Sequence, residues 1–341
     1  MILNFAMDTN HPSLSNQFDV VNSLRTFYKQ IYVITGNCPS RQGIPSNVKV
    51  IDLKWGKRNK VRILIDLSIQ IVDLVKNHDC RLFFTHMNDT FAMVAAPITK
   101  LLRVEHVFWY AHAHPSVQCR IGAGFSTLVV SSTTGSYPLN SKHCFFIGQG
   151  IDVSKFKPKI KPRRNSRALF VGRLDPSKGL DKCIDVFLNF GSTLSRMDIV
   201  GEPSESRAEK ELNRLKSRRS LEIQSKKIEF LGALPRNSLV TLYQQYAVFL
   251  HGFTGSLDKV LIEATLSKCP VVTLNQEYIQ EFGTWGTDSS LEGQLHSLLL
   301  TPKEKLDEEL ERRMNIAVEK HSLEQWICRL LEIFDSYESI D

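Results

Sequence analysis

Short apolar runs rich in β-branched residues alternate with helix-length segments through both halves of the 341-residue chain. This alternation is typical of parallel sheets whose strands are joined by crossover helices. The first half contains the strand candidates Ile2–Met7, Gln30–Thr35, Val48–Leu53, Leu82–Thr85, Glu105–Trp109, Thr127–Ser131 and Cys144–Ile147. The second half contains Ala168–Val171, Met197–Val200, Lys227–Leu231, Ala247–Leu250 and Val271–Leu274. The pattern predicts an α/β protein with two Rossmann-like, doubly wound parallel sheets.

The chain length favours two domains, at roughly 100 to 200 residues each. The segment Ile147–Arg167 carries two glycines, two prolines and seven Lys or Arg residues, so it is predicted to be the linker, with a boundary near Lys155. We expect a first lobe over residues 1–155 and a second over 156–321. Residues 322–341 form a predicted C-terminal helix that could pack back on the first lobe.

Composition narrows the functional classes. The formal net charge of +7 and the pI near 9.0 favour anionic partners. Seven scattered cysteines form no CxxC or Cys/His cluster, which argues against a zinc site and a disulfide framework and favours a reducing, cytoplasmic setting. No window is long and apolar enough to span a bilayer, so any membrane contact is expected to be peripheral. The basic linker is compatible with such a contact and equally with a solvated segment.

The loop Gly172–Gly179, with the sequence GRLDPSKG, directly follows a strand candidate. Ligands of open α/β sheets bind beyond the carboxyl ends of the strands, so a ligand is expected here. Arg173 and Lys178 would stand beside free backbone N–H groups at a helix start, a combination suited to a diphosphate. A glycine-flanked turn also joins strands to helices without any ligand, and the loop alone does not decide.

The segment Gly252–Ala264, with the sequence GFTGSLDKVLIEA, follows a later strand candidate. Its glycines predict a turn that opens a helix near Ser256, whose first N–H groups would face a phosphate or a sugar. Glu263, about two turns further, can accept hydrogen bonds from a ribose diol. Asp258 and Lys259 are also compatible with ordinary surface charges of a first helical turn.

Together with Phe230–Pro235 (FLGALP), these two segments resemble the retaining glycosyltransferases of family 4, also called glycosyltransferase group 1, which have the GT-B fold. The resemblance implies that Arg173 and Lys178 hold the donor diphosphate and stabilise it as it leaves. It implies donor-binding positions at Gly172, Arg173, Lys178, Gly232, Leu234, Gly255, Ser256, Leu257 and Glu263. The loop at Gly232 would cradle the base, and Glu263 would bind the ribose.

The first lobe extends the resemblance through His86-Met87-Asn88, Trp109-Tyr110-Ala111-His112 and Gly148–Asp152. In the family, a first-lobe histidine lies beside the transferred sugar, which makes His112 the third catalytic candidate ahead of His86 and His114. A histidine beside aromatic residues at a strand end is more often structural, and only the resemblance favours the catalytic role.

Two departures from the family pattern affect the expected site. The family usually has two glutamates eight residues apart, and the position eight before Glu263 is Gly255. The loop Asp8–Gln17 also lacks the glycines that many relatives carry there. The missing carboxylate bears on contacts with the donor sugar, and the altered loop bears on contacts with the acceptor.

The expected function is transfer of a sugar from a nucleoside diphosphate sugar to a hydroxyl acceptor, such as a glycan or lipid-linked glycan, with retention of configuration. The family needs neither a metal nor another cofactor, and no nucleic-acid-binding motif is present. Two alternatives stay open: a nucleotide-sugar epimerase of the same fold, and a non-catalytic subunit that binds nucleotide sugar. An epimerase would need no acceptor, and the subunit would show no turnover.

Overall fold

The structure is a computed structural model that describes residues 1–8, 14–137, 139, 144–158, 162 and 164–338. The chain divides into two compact units. Unit 1 comprises residues 1–150 with the C-terminal segment from Leu323, and unit 2 comprises Ile151–Ser322. Residues 9–13 of the loop after the first strand, and residues 159–161 and 163 of the predicted linker, lie outside the described residues.

The described part of unit 1 contains a seven-stranded parallel sheet in the order β3-β2-β1-β4-β5-β6-β7. Its strands are β1 (Ile2–Ala6), β2 (Ile31–Asn37), β3 (Val48–Asp52), β4 (Leu82–His86), β5 (Glu105–Trp109), β6 (Leu128–Ser131) and β7 (Cys144–Phe146). Each strand lies within two residues of its predicted bounds. The prediction succeeded because the central strands β1, β4, β5 and β6 are largely buried and read as continuous apolar runs.

Helices cover both faces of this sheet. They are α1 (Ser15–Leu24), α2 (Lys60–His78), α3 (Asp89–Leu102), α4 (Val117–Phe125) and, as the last helix of the chain, α14 (Leu323–Glu338). One face packs against α2, α3 and α4, and the other packs against α1 and α14. The buried stripe of α2 consists of Ile63, Leu67, Ile71 and Leu74.

The C-terminal helix α14 contributes to the core of unit 1. The Trp326 ring lies 5.2 Å from Trp109 and 6.1 Å from Phe84, between ring centroids. Trp326 also packs so closely on Gly150 that a Cβ there would lie 3.1 Å from the indole. The last segment of the chain therefore belongs to the unit that contains the N-terminal strands.

The residues of unit 2 that the structure describes form a five-stranded parallel sheet in the order β10-β9-β8-β11-β12. Its strands are β8 (Arg167–Val171), β9 (Arg196–Val200), β10 (Ile228–Gly232), β11 (Val248–His251) and β12 (Val271–Thr273). Its helices are α5 (Val153–Phe156), α6 (Leu180–Asn189), α7 (Ser206–Arg218), α8 (Ser220–Gln224), α9 (Arg236–Gln245), α10 (Lys259–Leu266), α11 (Gln276–Phe282), α12 (Leu291–Leu300) and α13 (Lys303–His321). The predicted α/β architecture of two Rossmann-like parallel-sheet lobes is confirmed.

The division between the units falls at Gly150/Ile151, whereas the sequence suggested a boundary near Lys155. The Ile151 backbone N–H donates to the carbonyl of His321 at 2.8 Å, and Ile151 forms a parallel bridge with Ser322. Phe156 is buried in the core of unit 2. Residues 151–155 therefore belong to the second unit, because their backbone and apolar contacts are made there.

Candidate functional site

The strand order of unit 2 reverses between β8 and β11. The chain runs from β8 outward through β9 and β10, then returns to place β11 on the other side of β8. Open α/β sheets bind their ligands at such a switch point, beyond the carboxyl ends of the strands. The loop Gly172–Gly179 follows β8, and the loop Gly252–Asp258 follows β11. The two segments selected from the sequence therefore adjoin one another at the switch point.

Glycines allow these two loops to touch backbone to backbone. A Cβ on Gly179 would lie 2.7 Å from the carbonyl oxygen of Gly252, and a Cβ on Gly252 would lie 2.5 Å from that of Gly179. Gly179 also has a φ of +66°, in the left-handed region that favours glycine. Behind the first loop, a Cβ on Gly201 would overlap the carbonyl oxygen of Gly172. Glycine is thus required by close approach as well as by backbone conformation.

Lys178 lies at the centre of the switch point. Its side chain is only 10% exposed, and its ammonium forms an ion pair with the carboxylate of Asp258. The ammonium also lies 3.8 Å from the centroid of the Phe253 ring. All three residues belong to the paired loops, so the contact between the loops fixes the position of a cation near the ends of β8 and β11.

Asp258 is held as a carboxylate by its neighbours. Burial disfavours its ionised form, but the Lys178 ammonium and the adjacent His251 outweigh burial, so the pKa of Asp258 lies well below its usual range. His251 Nε2 is 3.7 Å from the carboxylate, and His251 Nδ1 is hydrogen bonded to Thr273 Oγ1 at 2.9 Å. Burial lowers the pKa of His251, and the adjacent Asp258 opposes this change. Asp258 is therefore an internal counter-ion rather than a surface charge.

Arg173, the second predicted phosphate ligand, has a different environment from Lys178. Its side chain is 60% exposed, and its guanidinium lies 3.6 Å from Asp175. Asp175 in turn accepts hydrogen bonds from the backbone N–H and the hydroxyl of Ser204, at 2.9 and 2.8 Å. The loop thus presents one buried, fixed cation and one exposed cation.

Glu263 is a buried carboxylate of α10 that pairs with an arginine the sequence did not single out. Arg236, the first residue of α9, donates from Nη2 to Glu263 Oε1 at 2.6 Å. Burial raises the pKa of Glu263, while the Arg236 guanidinium and Lys259 oppose this change. Arg236 therefore stabilises the charged form of the residue predicted to bind a ribose.

The helix after the second loop begins at Lys259, three residues later than the predicted start near Ser256. Leu257 is buried in the core of unit 2, and Asp258 has an extended backbone conformation. Asn275 Nδ2 donates to the carbonyls of Gly255 and Ser256, at 2.9 and 3.2 Å. Any donor contacts of Gly255, Ser256 and Leu257 would therefore be made by their backbone groups and by the buried Ser256, because the Leu257 side chain is in the core.

Phe253 occupies the space that a side chain at position 255 would need. A Cβ built on Gly255 would overlap the Phe253 ring, whose face carries the Lys178 ammonium. The sequence has Gly255 at the position of the first of the two glutamates in the family pattern. In the structure, the Phe253 ring, which contacts Lys178, lies where the side chain of that glutamate would begin.

Of the predicted base-binding positions, Gly232 ends the edge strand β10 and Leu234 lies in the loop that follows it. Gly232 has a φ of +70° and lies at a register shift of the strand pairing. Its carbonyl accepts a hydrogen bond from the Gly201 N–H at 2.9 Å. Leu234 is half-buried and packs against the core of unit 2. The loop is thus attached to the sheet at Gly232 and to the core at Leu234.

The three histidine candidates lie in unit 1 and differ in burial. His86, at the end of β4, is buried and stacks on Phe84 with ring centroids 5.8 Å apart. His112 and His114 lie beyond β5 and are exposed. The His112 ring meets the edge of Tyr110 at 5.4 Å. Burial thus favours His112 over His86 as a group that reaches a ligand, and it does not separate His112 from His114.

Residues 165–315 match the family model of Glycosyl transferases group 1. The match lies within unit 2 and contains both switch-point loops, Gly232, Arg236 and Glu263. No curated protein sequence matches the chain.

Solved glycosyltransferase structures share the fold over nearly the whole chain. A glycosyltransferase from Rickettsia africae ESF-5 has 12% identity and a TM-score of 0.77, covering 100% of this chain and 99% of its own. Anabaena Alr3699/HepE, in complex with UDP and glucose, has 17% identity and a TM-score of 0.76, covering 98% and 99%. The UDP-forming α,α-trehalose-phosphate synthase from Burkholderia vietnamiensis has 13% identity and a TM-score of 0.69, covering 98% and 99%. These likenesses show that both units have the Rossmann-like fold of GT-B glycosyltransferases.

Proposed function

We propose that the protein is a retaining glycosyltransferase of family 4 that transfers a sugar from a nucleoside diphosphate sugar to a hydroxyl acceptor. The observation that carries the proposal is the switch point of unit 2, where two glycine loops bring Lys178, Asp258 and Phe253 together within the segment that matches the glycosyltransferase model. Helix starts and fixed cations at such a position suit the binding of a diphosphate.

In this proposal, the donor diphosphate binds Lys178 and Arg173. Lys178 is fixed by Asp258 before the donor arrives, so little reorganisation is needed when charge develops on the leaving group. Arg173 is exposed and supplies a planar guanidinium that matches phosphate oxygens. The backbone at Gly172, Gly255, Ser256 and Leu257 borders the same position and would contribute N–H groups.

Glu263 would bind the ribose, with Arg236 as a positioning residue. One carboxylate oxygen accepts from Arg236, and the other is the acceptor proposed for a ribose hydroxyl. The loop at Gly232 and Leu234 would border the base, and its attachment to the sheet and core limits its movement. We expect UDP to be the first nucleotide worth testing, because HepE was solved with UDP and with UDP-glucose.

The proposed chemistry breaks the bond between the anomeric carbon and the diphosphate oxygen, whose electron pair stays on the diphosphate. The acceptor oxygen forms the new bond on the same face of the sugar, and its proton passes to the departing diphosphate. Lys178 and Arg173 would stabilise the growing negative charge, so the proposal assigns this role to side chains rather than to a metal. His112 of unit 1 would donate a hydrogen bond to the sugar.

A second candidate is a non-catalytic subunit that binds nucleotide sugar without transferring it. The Phe253 ring favours this candidate, because it fills the space in which relatives carry a sugar-contacting carboxylate. For the enzyme, we propose a glycan or lipid-linked glycan as acceptor and a cytoplasmic setting. The cysteines, all of which are free, support the reducing compartment.

The two candidates separate in a turnover experiment. The protein is incubated with a panel of UDP, GDP and ADP sugars, with and without a mixture of cellular glycans and glycolipids, and nucleotide release and labelled products are measured. Acceptor-dependent release of nucleotide, abolished in Lys178→Ala and retained in the matched Lys182→Ala, supports the transferase. Nucleotide binding without release identifies the subunit, and an isomeric nucleotide sugar made without acceptor would contradict both.

A further inference from the structure

Helix α2 of unit 1 is apolar on two opposite sides. Its inner side packs Ile63, Leu67 and neighbouring residues against the sheet. Its outer side carries Val61, Ile65 and Ile69 at i, i+4 and i+8, with exposed fractions of 64%, 53% and 57%. A helix on the surface of a globular protein normally presents polar residues on its outer side. The second apolar stripe therefore has no role in the fold of unit 1.

Helix α3, which packs beside α2, and α4, which packs beside α3, carry apolar residues with the same spacing. Helix α3 packs against α2 on one side and α4 on the other. It carries half-buried Met93 and Pro97 and the 83% exposed Leu101 on its outer side. Helix α4 carries the exposed residues Val117, Ile121 and Phe125, again at i, i+4 and i+8. We call these three stripes together the outer face of α2–α4.

Cations cluster at the N-terminal end of the first stripe. Lys57, Arg58, Lys60 and Arg62 are exposed around the beginning of α2. Of these, only Arg58 forms an ion pair with a residue that the structure describes, namely Asp66 at 2.6 Å. Helix α3 adds Lys100, which lies 5.4 Å from the centroid of the Phe125 ring, and its acidic residue Asp89 is hydrogen bonded to Ser116. The outer face thus combines exposed apolar side chains with cations that are available to an anionic partner.

We propose that the outer face of α2–α4 docks on an anionic lipid bilayer. The apolar stripes would enter the boundary between headgroups and acyl chains, and Lys57, Lys60 and Arg62 would contact lipid phosphates. No helix in the part of the chain that the structure describes is long and apolar enough to cross a membrane. A second copy docked on this face would bring the same excess of cations, whereas a lipid surface supplies the opposite charge. The proposal rests on unit 1 alone and does not depend on the donor site.

Vesicle flotation tests this surface. The full chain is mixed with vesicles of phosphatidylcholine alone or of an equal mixture with phosphatidylglycerol, and the bound fraction is measured over a range of lipid concentrations. Wild type binds the anionic vesicles more tightly than the neutral ones. Lys60→Ala with Arg62→Ala weakens binding to anionic vesicles by roughly tenfold or more, since each cation near the surface contributes about fivefold. Ile65→Glu with Ile69→Glu abolishes binding to both.

Matched control variants are Leu221→Glu and Leu300→Glu, which place the same charge on the 76% and 69% exposed leucines of unit 2. They keep wild-type vesicle binding, and circular dichroism with thermal unfolding verifies that every variant is folded. No binding of wild type to anionic vesicles would overturn the proposal, as would equal loss in the controls. A wild-type dimer that Ile65→Glu with Ile69→Glu dissociates, without vesicle binding, would instead assign the face to a second copy. A failed nucleotide titration would leave the vesicle result unaffected.

Discussion

The two units have similar strand orders but different side chains at their switch points. In unit 1 the order reverses between β1 and β4, and the residue that ends β4 is His86, enclosed by the rings of Phe84, Trp109 and Trp326. In unit 2 the reversal between β8 and β11 carries the Lys178–Asp258 ion pair. The first switch point thus has an aromatic environment, and the second a charged one.

The fold thus determines where the loops lie, and the residue types in the loops determine which ligand they bind. Unit 2 keeps charges at low exposure because each has a partner: Lys178 with Asp258, and Arg236 with Glu263. At the switch point of unit 1, the buried His86 instead packs among aromatic rings. A diphosphate therefore finds fixed positive charge in unit 2.

The largest expected effect is that of Lys178→Ala. Removing this cation should lower kcat/KM by roughly a hundredfold or more, since it would stabilise the leaving diphosphate more strongly in the transition state. The matched variant Lys182→Ala removes an exposed lysine from α6 and should leave kcat/KM unchanged. Steady-state kinetics with the active donor measures both. Equal activity of the two variants would remove Lys178 from the site.

The next effect concerns the Arg236–Glu263 pair. Arg236→Gln should lower the free energy of unfolding by about 2 kcal/mol, because Glu263 is left buried without its charged partner. The double variant Arg236→Gln with Glu263→Gln has neither charge, so it should recover part of the lost free energy of unfolding. Urea denaturation of wild type and the two variants measures these changes. A double variant less stable than Arg236→Gln would show that Glu263 does not need this counter-ion.

A smaller effect tests the contribution of unit 1. His112→Ala should lower kcat about tenfold through the lost hydrogen bond to the sugar, and should leave nucleotide affinity unchanged. His114→Ala, a neighbouring exposed histidine, is the matched control. Kinetics and calorimetry with the free nucleotide separate the two quantities. If His114→Ala lowers kcat and His112→Ala does not, the assignment of the histidine is wrong.

The smallest effect, counted per pH unit, is a pH dependence of the free energy of unfolding that originates in buried His106. Because burial lowers the pKa of His106 to about 3, the unfolded chain binds its proton first as the pH falls. The stability contributed by neutral His106 is complete above about pH 6.5 and is lost below it, by at most about 1.4 kcal/mol per pH unit. Asp258, whose pKa is depressed, loses its contribution only at lower pH. His106→Gln should flatten the decline between about pH 6.5 and 4.5 in urea denaturation, and an unchanged slope would contradict this origin.

The strands and the candidate loops were predictable because their signals are local. Apolar runs such as Leu82–Thr85 and the glycines of Gly172–Gly179 are contiguous in sequence, and the structure places strands and turns there. The pairing of Lys178 with Asp258 joins residues 80 positions apart and depends on the packing of two loops. Arg236 had no local signal, because an arginine at a helix start usually faces solvent. The helix start near Ser256 was wrong, because burial of Leu257 and the hydrogen bonds from Asn275 keep the loop extended as far as Asp258.

The most direct test of the central claim compares a nucleoside diphosphate with its nucleoside. Calorimetric titrations of uridine and UDP, and the guanosine and adenosine pairs, are performed on wild type, Lys178→Ala and Lys182→Ala. We expect wild type and Lys182→Ala to bind the diphosphate far more tightly than the nucleoside. Lys178→Ala should lose most of this preference while still binding the nucleoside. Equal preference for the diphosphate in Lys178→Ala would contradict a diphosphate site at the switch point of unit 2.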